Sequence, residues 1–209
     1  MSSQVITGSL QDPHFAKRHA QSMFRMRFRV FHERLQWEVK CSDGMESDQF
    51  DDNYSLYVVV AGEDGKAQGS WRLRPTTLPY MMADVPAFEP LLHGHRAPRA
   101  PRVWEISRFA VDTDEERSAF GLNRVARALV EASTRLAVDN GIDQYVIVVS
   151  VAIERLLKNL GLVLHRYGPA VRIGKVTTVA CRIDVDAHTR HVILGQPLPA
   201  PIEDLKVAA

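Results

Sequence analysis

The 209-residue chain is 45% hydrophobic and 24% charged, the balance of an ordinary water-soluble globular protein, and it is long enough to bury a full core. A formal net charge of +1 excludes a global field that recruits nucleic acid or anionic lipid, so any electrostatic partner has to meet a local patch. Cys41 and Cys181 fit neither a disulfide framework nor a metal-site spacing. The N-terminus lacks the apolar stretch of a signal peptide, and the longest apolar run, Tyr145 to Ile153, is too short to span a bilayer. These features lead us to expect a protein of the reducing cytoplasm with no membrane span.

In chain order, Phe15, His19, Met23, Met26, Val30, Phe31 and Leu35 recur at helical spacing, which predicts an amphipathic helix or broken helix pair over Pro13 to Leu35. Trp37 to Asn53 is polar, acidic and aperiodic, an ordered loop. Tyr54 to Ala61 and Gln68 to Arg74 read as a hairpin around Gly62-Glu63-Asp64-Gly65. Pro75 to Pro101 is proline-rich, with a short helical patch at Ala87 to Leu92. Val103 to Val111 is strand sequence, and Ala119 to Asp139 is a helix stopped by Asn140-Gly141. Gln144 to Ser150 is a buried strand and Ala152 to Leu160 a helix ended by Gly161. Leu162 to Tyr167 and Thr177 to Val185 are expected strands, with Val192 to Leu194 as a further short one. That alternation predicts an α/β fold, one three-layer α-β-α domain over 1–209 with a mixed central sheet. The layout resembles GNAT-type acyltransferases, which by itself assigns no function.

Three clusters carry candidate chemistry. Arg27 and Phe31 share a helix face at i,i+4, with Trp37 just past the helix end; a guanidinium between two rings can hold a carboxylate, and the rings a sulfonium-like cation. A helix burying Phe31 and Trp37 while Arg27 snorkels is the plainer account of that cluster alone. Glu46, Asp48, Asp51 and Asp52 follow Asp43 in one loop. Carboxylates this dense repel unless a metal, an ammonium or an arginine lies between them, although a solvated acidic loop is the commoner case. The EF-hand offsets for glycine and the last glutamate are missing, against a calcium module. Glu105 and Ser107 share one face of a strand, with Arg108 on the other unless a bulge rotates it, and Arg72 lies on the neighbouring hairpin. Buried charges there must satisfy one another or a substrate, as a structural ion network or as a site.

Taken together and in order, Arg27-x3-Phe31-x5-Trp37, Glu46-x-Asp48-x2-Asp51, Arg72 within Gly69-Ser70-Trp71-Arg72-Leu73, Phe88, and Trp104-Glu105-Ile106-Ser107-Arg108-Phe109 resemble the LuxI-type acyl-homoserine-lactone synthase family. The likeness is sharpest from Met26 to Val111 and continues more weakly to about Val185. It implies a quorum-sensing enzyme that acylates the α-amine of S-adenosylmethionine from an acyl thioester, then closes the lactone and releases methylthioadenosine. S-adenosylmethionine is then a substrate, with no cofactor and no metal; the acyl partner is acyl carrier protein or acyl-CoA.

The resemblance also distributes roles. Glu105 is the candidate base, oriented by Arg108, with Glu46 as the alternative. Arg27, Phe31, Trp37, Asp48 and Asp51 form the S-adenosylmethionine side, within 13–53, while Arg72 and Ser107 support the site. The acyl side lies within 54–185, with Phe88, Phe109, Ile147, Val148, Ser150, Leu156 and Leu157 as candidate lining. Members of the family making 3-oxo signals tend to carry threonine where this chain has Ile147, so an unsubstituted chain is expected, although the Ser150 hydroxyl is near. Arg155, Lys158 and Arg166, with Arg172 and Lys175 close by, are the expected dock for an acidic carrier protein; His93 to Arg102 is a second basic stretch. A GNAT acyltransferase using acyl-CoA on another amine is the alternative. Its glycine-rich diphosphate loop is replaced here by the acidic Asp114 to Asn123, with one glycine. A non-catalytic sensor of an acyl or adenosyl ligand is the rival from a different class.

Overall fold

The computed structural model describes residues 3–112 and 119–198, with side chains from Leu122 onward in the second range. Most of Asp114 to Asn123, the stretch compared above with a diphosphate loop, therefore lies outside the described residues. The chain opens with a strand that the sequence reading left unassigned, β1 (Gln4–Ser9). Only Ile6 on it packs into a core, so its apolar signal is thin. A Cβ at Gly8 would sit 2.4 Å from the Phe15 ring, so the strand and the following helix approach through this glycine.

Asp12 caps the helix by accepting from the His14 amide at 2.9 Å. The helix α1 then runs unbroken through Pro13–Phe15, Ala16–Ala20, Gln21–Arg27 and Phe28–Arg34. The second and fourth segments have widened turns, with Leu35 N donating to Val30 O at 3.0 Å. Gln36, at φ 51, ends it. The acidic loop contains a small hairpin, β2 (Cys41–Ser42) and β3 (Met45–Glu46). Asp43 and Gly44 turn it with φ of 53 and 70, the left-handed pair of a tight hairpin turn.

The rest follows the expected order: β4 (Leu56–Ala61), β5 (Ala67–Pro75), β6 (Val103–Val111), α3 (Ala119–Asn140), β7 (Gln144–Ser150), α4 (Val151–Asn159) and β10 (Val176–Asp184). Between β5 and β6 the structure adds a four-residue helix, α2 (Met81–Asp84), before the 3-10 turn Pro86–Leu92. Of the stretch Leu162 to Tyr167 only β8 (His165–Arg166) is strand, and β9 (Val171–Ile173) is new. Val192 to Leu194 is not a strand. It is the last turn of α5 (Ala187–Leu194), because Asp186 caps the Thr189 amide at 2.8 Å and Gly195, at φ 67, closes the C-terminus.

Seven strands lie in the order β1-β4-β5-β6-β7-β10-β8, with β9 on β10. Every pairing is antiparallel except β6 with β7, joined through α3, so the expected mixed sheet is present. On one face α3 and α4 cover Val58, Trp71, Ile106 and Ile147, with Leu129 and Leu157 from the helices themselves. On the other, α1 covers Tyr57 and Val59, and the segment 80–92 covers Val146.

Two irregularities decide where a site can form. Ser70 faces Ala110 while Arg72 faces Ser107, so Arg108 and Phe109 together oppose Trp71 in a β-bulge, with Arg108 at φ 57. The parallel pairing of β6 with β7 covers only Val103 to Ile106 against Gln144 to Ile147. Beyond it both strands continue without pairing to one another, which leaves a gap in the middle of the sheet.

Candidate active site

Beside that gap, three arginines neutralise the acidic loop. Arg27, 1% exposed on α1, donates to Glu46 Oε2 at 2.6 Å and makes a two-pronged bond to Asp51 at 2.8 Å on each arm. Arg72, fully buried on β5, donates to Asp48 Oδ1 at 2.6 Å and to Ser107 Oγ at 3.2 Å, with Asp51 Oδ1 at 3.0 Å. Arg108 reaches Glu46 Oε1 at 3.1 Å and Asp48 Oδ2 at 2.6 Å. The bulge turns Arg108 onto the face it would otherwise miss. The cation that the carboxylate cluster required is therefore arginine, supplied by a helix and two strands.

Burial disfavours the Asp51 charge, yet Arg27 and Arg72 outweigh it and hold the carboxyl well below its ordinary range. Burial likewise opposes the charge on Arg27, and Asp51 and Glu46 more than restore it. Arg108 is the exception: desolvation wins there, and its pKa is lowered.

Aromatic rings frame the network. Phe31 and Trp37 stack at 5.2 Å with planes 8° apart, and the Arg108 guanidinium lies 5.6 Å over Phe31. Trp37 is 38% exposed, so this stack forms a wall open to solvent on one side. Phe50 underlies both Arg72 and Arg74.

Glu105 sits apart from this network. It is 1% exposed and accepts from the Met81 and Met82 amides of α2 at 3.1 and 2.7 Å. Burial raises its pKa, more than those two bonds and the Arg72 charge lower it. The expected orientation of Glu105 by Arg108 is not what the structure has: Arg108 is taken up by Glu46 and Asp48, and the amides of α2 do the orienting. The sequence reading also passed over Arg74, which holds Asp52 at 2.8 Å and the Ser55 hydroxyl at 2.9 Å. It missed Tyr57 too, whose hydroxyl donates to Asp51 at 3.0 Å. The Arg72-x-Arg74 alternation carried the first signal, since the two share one strand face.

The residues proposed to line an acyl site do not share one wall. Phe88 and Val148 belong to the cluster under residues 80–92. Phe109, Ile147, Leu156 and Leu157 lie on the opposite face with α3 and α4, because β7 side chains alternate. Ser150 caps α4, accepting from Ile153 N at 3.2 Å, so its hydroxyl is engaged. The gap between β6 and β7 lies between the two faces.

The expected dock is only partly free. Lys158 and Arg166 are exposed but both bind the buried Glu154 at 2.8 Å, while Arg155, Arg172 and Lys175 are further exposed cations of that region. In the second basic stretch Arg99 pairs with Asp84 and Arg102 with Asp143. The Arg166 and Lys158 bonds hold the Glu154 carboxyl down at about 2. Because its folded pKa is depressed, its contribution is present above the ordinary glutamate value and disappears as pH falls toward 2. Glu154→Gln is expected to cost about 1 kcal/mol at pH 7, a figure kept small because both cations are partly exposed. Thermal unfolding of both proteins should show the difference shrinking by pH 3; a difference independent of pH would contradict the ion-pair account.

A mixed sheet with a bulged, splayed centre and a buried carboxylate beside the gap defines a GNAT-like acyltransferase architecture. A Lactobacillus plantarum chain of the N-acetyltransferase kind shares that fold, with a TM-score of 0.58 at 17% identity. The autoinducer synthase family profile matches residues 14–193, and the chain belongs to that family of acyltransferases. An acyl-homoserine-lactone synthase of Pseudomonas aeruginosa is 35% identical over 183 residues, 87% of this chain and 90% of its own length. One from Ralstonia solanacearum is 38% identical over 165 residues, 78% and 80% of the two chains. The crystal structure of the synthase LasI superposes with a TM-score of 0.84 at 34% identity, covering 96% of this chain and 98% of that one. BjaI, a CoA-dependent synthase solved with S-adenosylmethionine and isopentyl-CoA, gives 0.79 at 27% identity over 94% and 91%. Among the described residues no helix is long and apolar enough to cross a membrane.

Proposed function

We propose that this chain is an acyl-homoserine-lactone synthase that joins an acyl group to S-adenosylmethionine and then lactonises the product. The observation that carries it is a buried carboxylate, Glu105, with raised basicity and, among the described residues, no direct ion pair, set beside a sheet gap and next to an arginine-neutralised acidic loop. Bound S-adenosylmethionine and acyl-CoA in the BjaI structure support the same pair of substrates.

Glu105 accepts a proton from the α-ammonium of S-adenosylmethionine, directly or through one water. The free amine then attacks the thioester carbonyl, and the thiolate leaves. Charge on the tetrahedral oxygen is met by backbone amides, which β6 and β7 leave unpaired to one another past Ile106 and Ile147. The methionyl carboxylate oxygen then displaces sulfur from the γ-carbon, closing the ring and freeing methylthioadenosine; alignment supplies most of that step. Glu46 is a weaker candidate base, because two charged guanidinium groups, Arg27 and Arg108, hold its oxygens, whereas those of Glu105 accept only from neutral backbone amides. Asp48 and Asp51, braced by Arg27, Arg72, Arg108 and Ser107, shape the S-adenosylmethionine side against Phe31 and Trp37. Ile147, 1% exposed in an apolar cluster, offers a 3-oxo group no donor, which favours an unsubstituted acyl chain. Arg155, Arg172 and Lys175 form the face for an acidic carrier protein, and acyl-CoA is the other donor.

Purified protein incubated with S-adenosylmethionine and a panel of acyl-carrier and acyl-CoA thioesters, followed by mass spectrometry, should give an acyl-homoserine lactone and equimolar methylthioadenosine. Folded protein yielding neither with any donor would sink the reading and bring forward acyl-CoA transfer to another amine.

A further inference from the structure

The short helix that holds Glu105 is itself held from outside. Its Met81 and Met82 amides each donate to one oxygen of Glu105, so a single turn of backbone aims the carboxylate. That turn lies in a proline-rich stretch, and four residues of helix do not keep their shape unaided. Asp84, the last of the four, closes it. Asp84 Oδ2 accepts from the Tyr80 amide at 2.8 Å, and the Asp84 amide donates to the Tyr80 carbonyl at 2.9 Å. As in a capping box, the two bonds are reciprocal, and they fix the residue just before the Met81 and Met82 amides.

Arg99 completes the clasp. It donates to the two Asp84 oxygens at 2.9 and 3.0 Å and to the Leu78 carbonyl at 3.2 Å, so one guanidinium bridges both ends of the turn. It also lies 5.4 Å over the Tyr80 ring, whose hydroxyl donates to the Pro98 carbonyl. The Asp84 and Arg99 side chains are 35% and 47% exposed, so as an ion pair they add little to global stability. Their effect is local. We infer that Asp84, braced by Arg99, is a positioning residue for Glu105, holding the Tyr80 turn so that the Met81 and Met82 amides stay on the two carboxylate oxygens. This rests on the acyl-transfer function proposed above, in which Glu105 takes the amine proton.

The consequence is a pH dependence with a definite sign. Burial raises the Glu105 pKa; the Met82 amide, Arg72 on β5 and the Met81 amide oppose that rise, and Asp48 in the acidic loop adds to it. The Tyr80 phenol, pushed up by burial and by Glu105, stays neutral. Loosening the turn weakens bonds that favour the charged carboxylate, so the Glu105 pKa climbs further and the base is ready only at higher pH.

The test is the pH profile of kcat for the wild-type protein and two variants, with the Glu105 carboxyl also titrated directly by carbon-13 NMR and assigned through Glu105→Gln. Asp84→Ala removes the acceptor. On the acidic limb its kcat should fall about tenfold, the effect of weakened hydrogen bonds to a carboxylate, while kcat on the alkaline plateau and KM for S-adenosylmethionine change less than about twofold. The Glu105 titration midpoint should move up with the limb. Asp84→Asn keeps an oxygen for the Tyr80 amide and should restore most of the wild-type profile. Thermal unfolding shows that each variant is folded; should Asp84→Ala fail to fold, Arg99→Ala takes its place with a smaller shift of the same sign. A folded variant with the wild-type limb and midpoint, or a loss equal at every pH, would overturn the positioning role and leave the synthase function standing. No lactone from the wild type with any donor would instead overturn the function, and the positioning role with it.

Discussion

Glu105→Gln is expected to lower kcat about 10²- to 10⁴-fold while KM for S-adenosylmethionine changes little, the usual loss when a positioned base is removed. Glutamine keeps the shape but cannot accept the amine proton. In the wild type the rate should fall as pH drops through the Glu105 pKa, and burial places that limb above the ordinary glutamate value. The variant should lose that limb from its profile. The contrast with Glu46 makes the result informative. Glu46→Gln removes an acceptor shared by Arg27 and Arg108, so it should disturb stability and S-adenosylmethionine affinity together. Steady-state kinetics from pH 5 to 9 with both substrates varied would decide. If Glu105→Gln turned over at the wild-type rate, the base would have to be sought elsewhere in the network.

Arg27→Ala should be the most destabilising single change at the site, costing about 3–5 kcal/mol, because it takes from both Glu46 and Asp51 one of their two arginine partners in a buried site, leaving only Arg108 and Arg72. Arg27 is 1% exposed, and Glu46 and Asp51 beside it have side chains 0% and 2% exposed, so water cannot easily take its place. Asp51 in particular would lose the main charge that holds its pKa down and would titrate upward. The sign follows from linkage: Asp51 contributes stability above its unfolded pKa, and that contribution is what the variant forfeits at pH 7. Arg27→Lys keeps the charge but cannot bond Glu46 and both oxygens of Asp51 from one rigid fork, so it should recover only part of the loss. Urea denaturation at pH 7 measures both. An Arg27→Ala loss below about 1 kcal/mol would be the figure for a surface ion pair and would contradict the burial.

Much of the site was legible because its residue types are unusual for their surroundings. Arginines at 27, 72 and 108 and carboxylates at 46, 48, 51 and 105 stand in segments that otherwise read as helix face, loop and buried strand. Buried charge needs partners, which made their convergence expected. Which charge meets which was not legible, since partners 19 or more residues apart are chosen by packing. Arg108 shows why. Strand alternation points it away from the site, and only the bulge opposite Trp71, a property of two strands at once, turns it toward Glu46 and Asp48. Glu105 is similar: its hydrogen-bond donors are backbone amides of a four-residue helix in a proline-rich stretch with little periodicity.

The sequence by itself determined the order of the longer strands and helices from Leu56 to Asp184, though not the short α2 and β9 among them, because apolar periods of 2 and 3.6 hold over most of those longer elements and glycine or a cap residue ends them. It also determined the mixed α/β class, and the identity of the charged residues that had to find one another. Tertiary structure alone decided the pairing of β1, whose edge position needs few apolar residues, and the helix over Ala187–Leu194, where the Asp186 cap and Gly195 outweigh the β-branched Val192 and Ile193. It also decided that the proposed acyl-lining residues fall on two faces of the sheet. Alternation is local, but the gap lies where β6 and β7 stop pairing, a property of two strands at once.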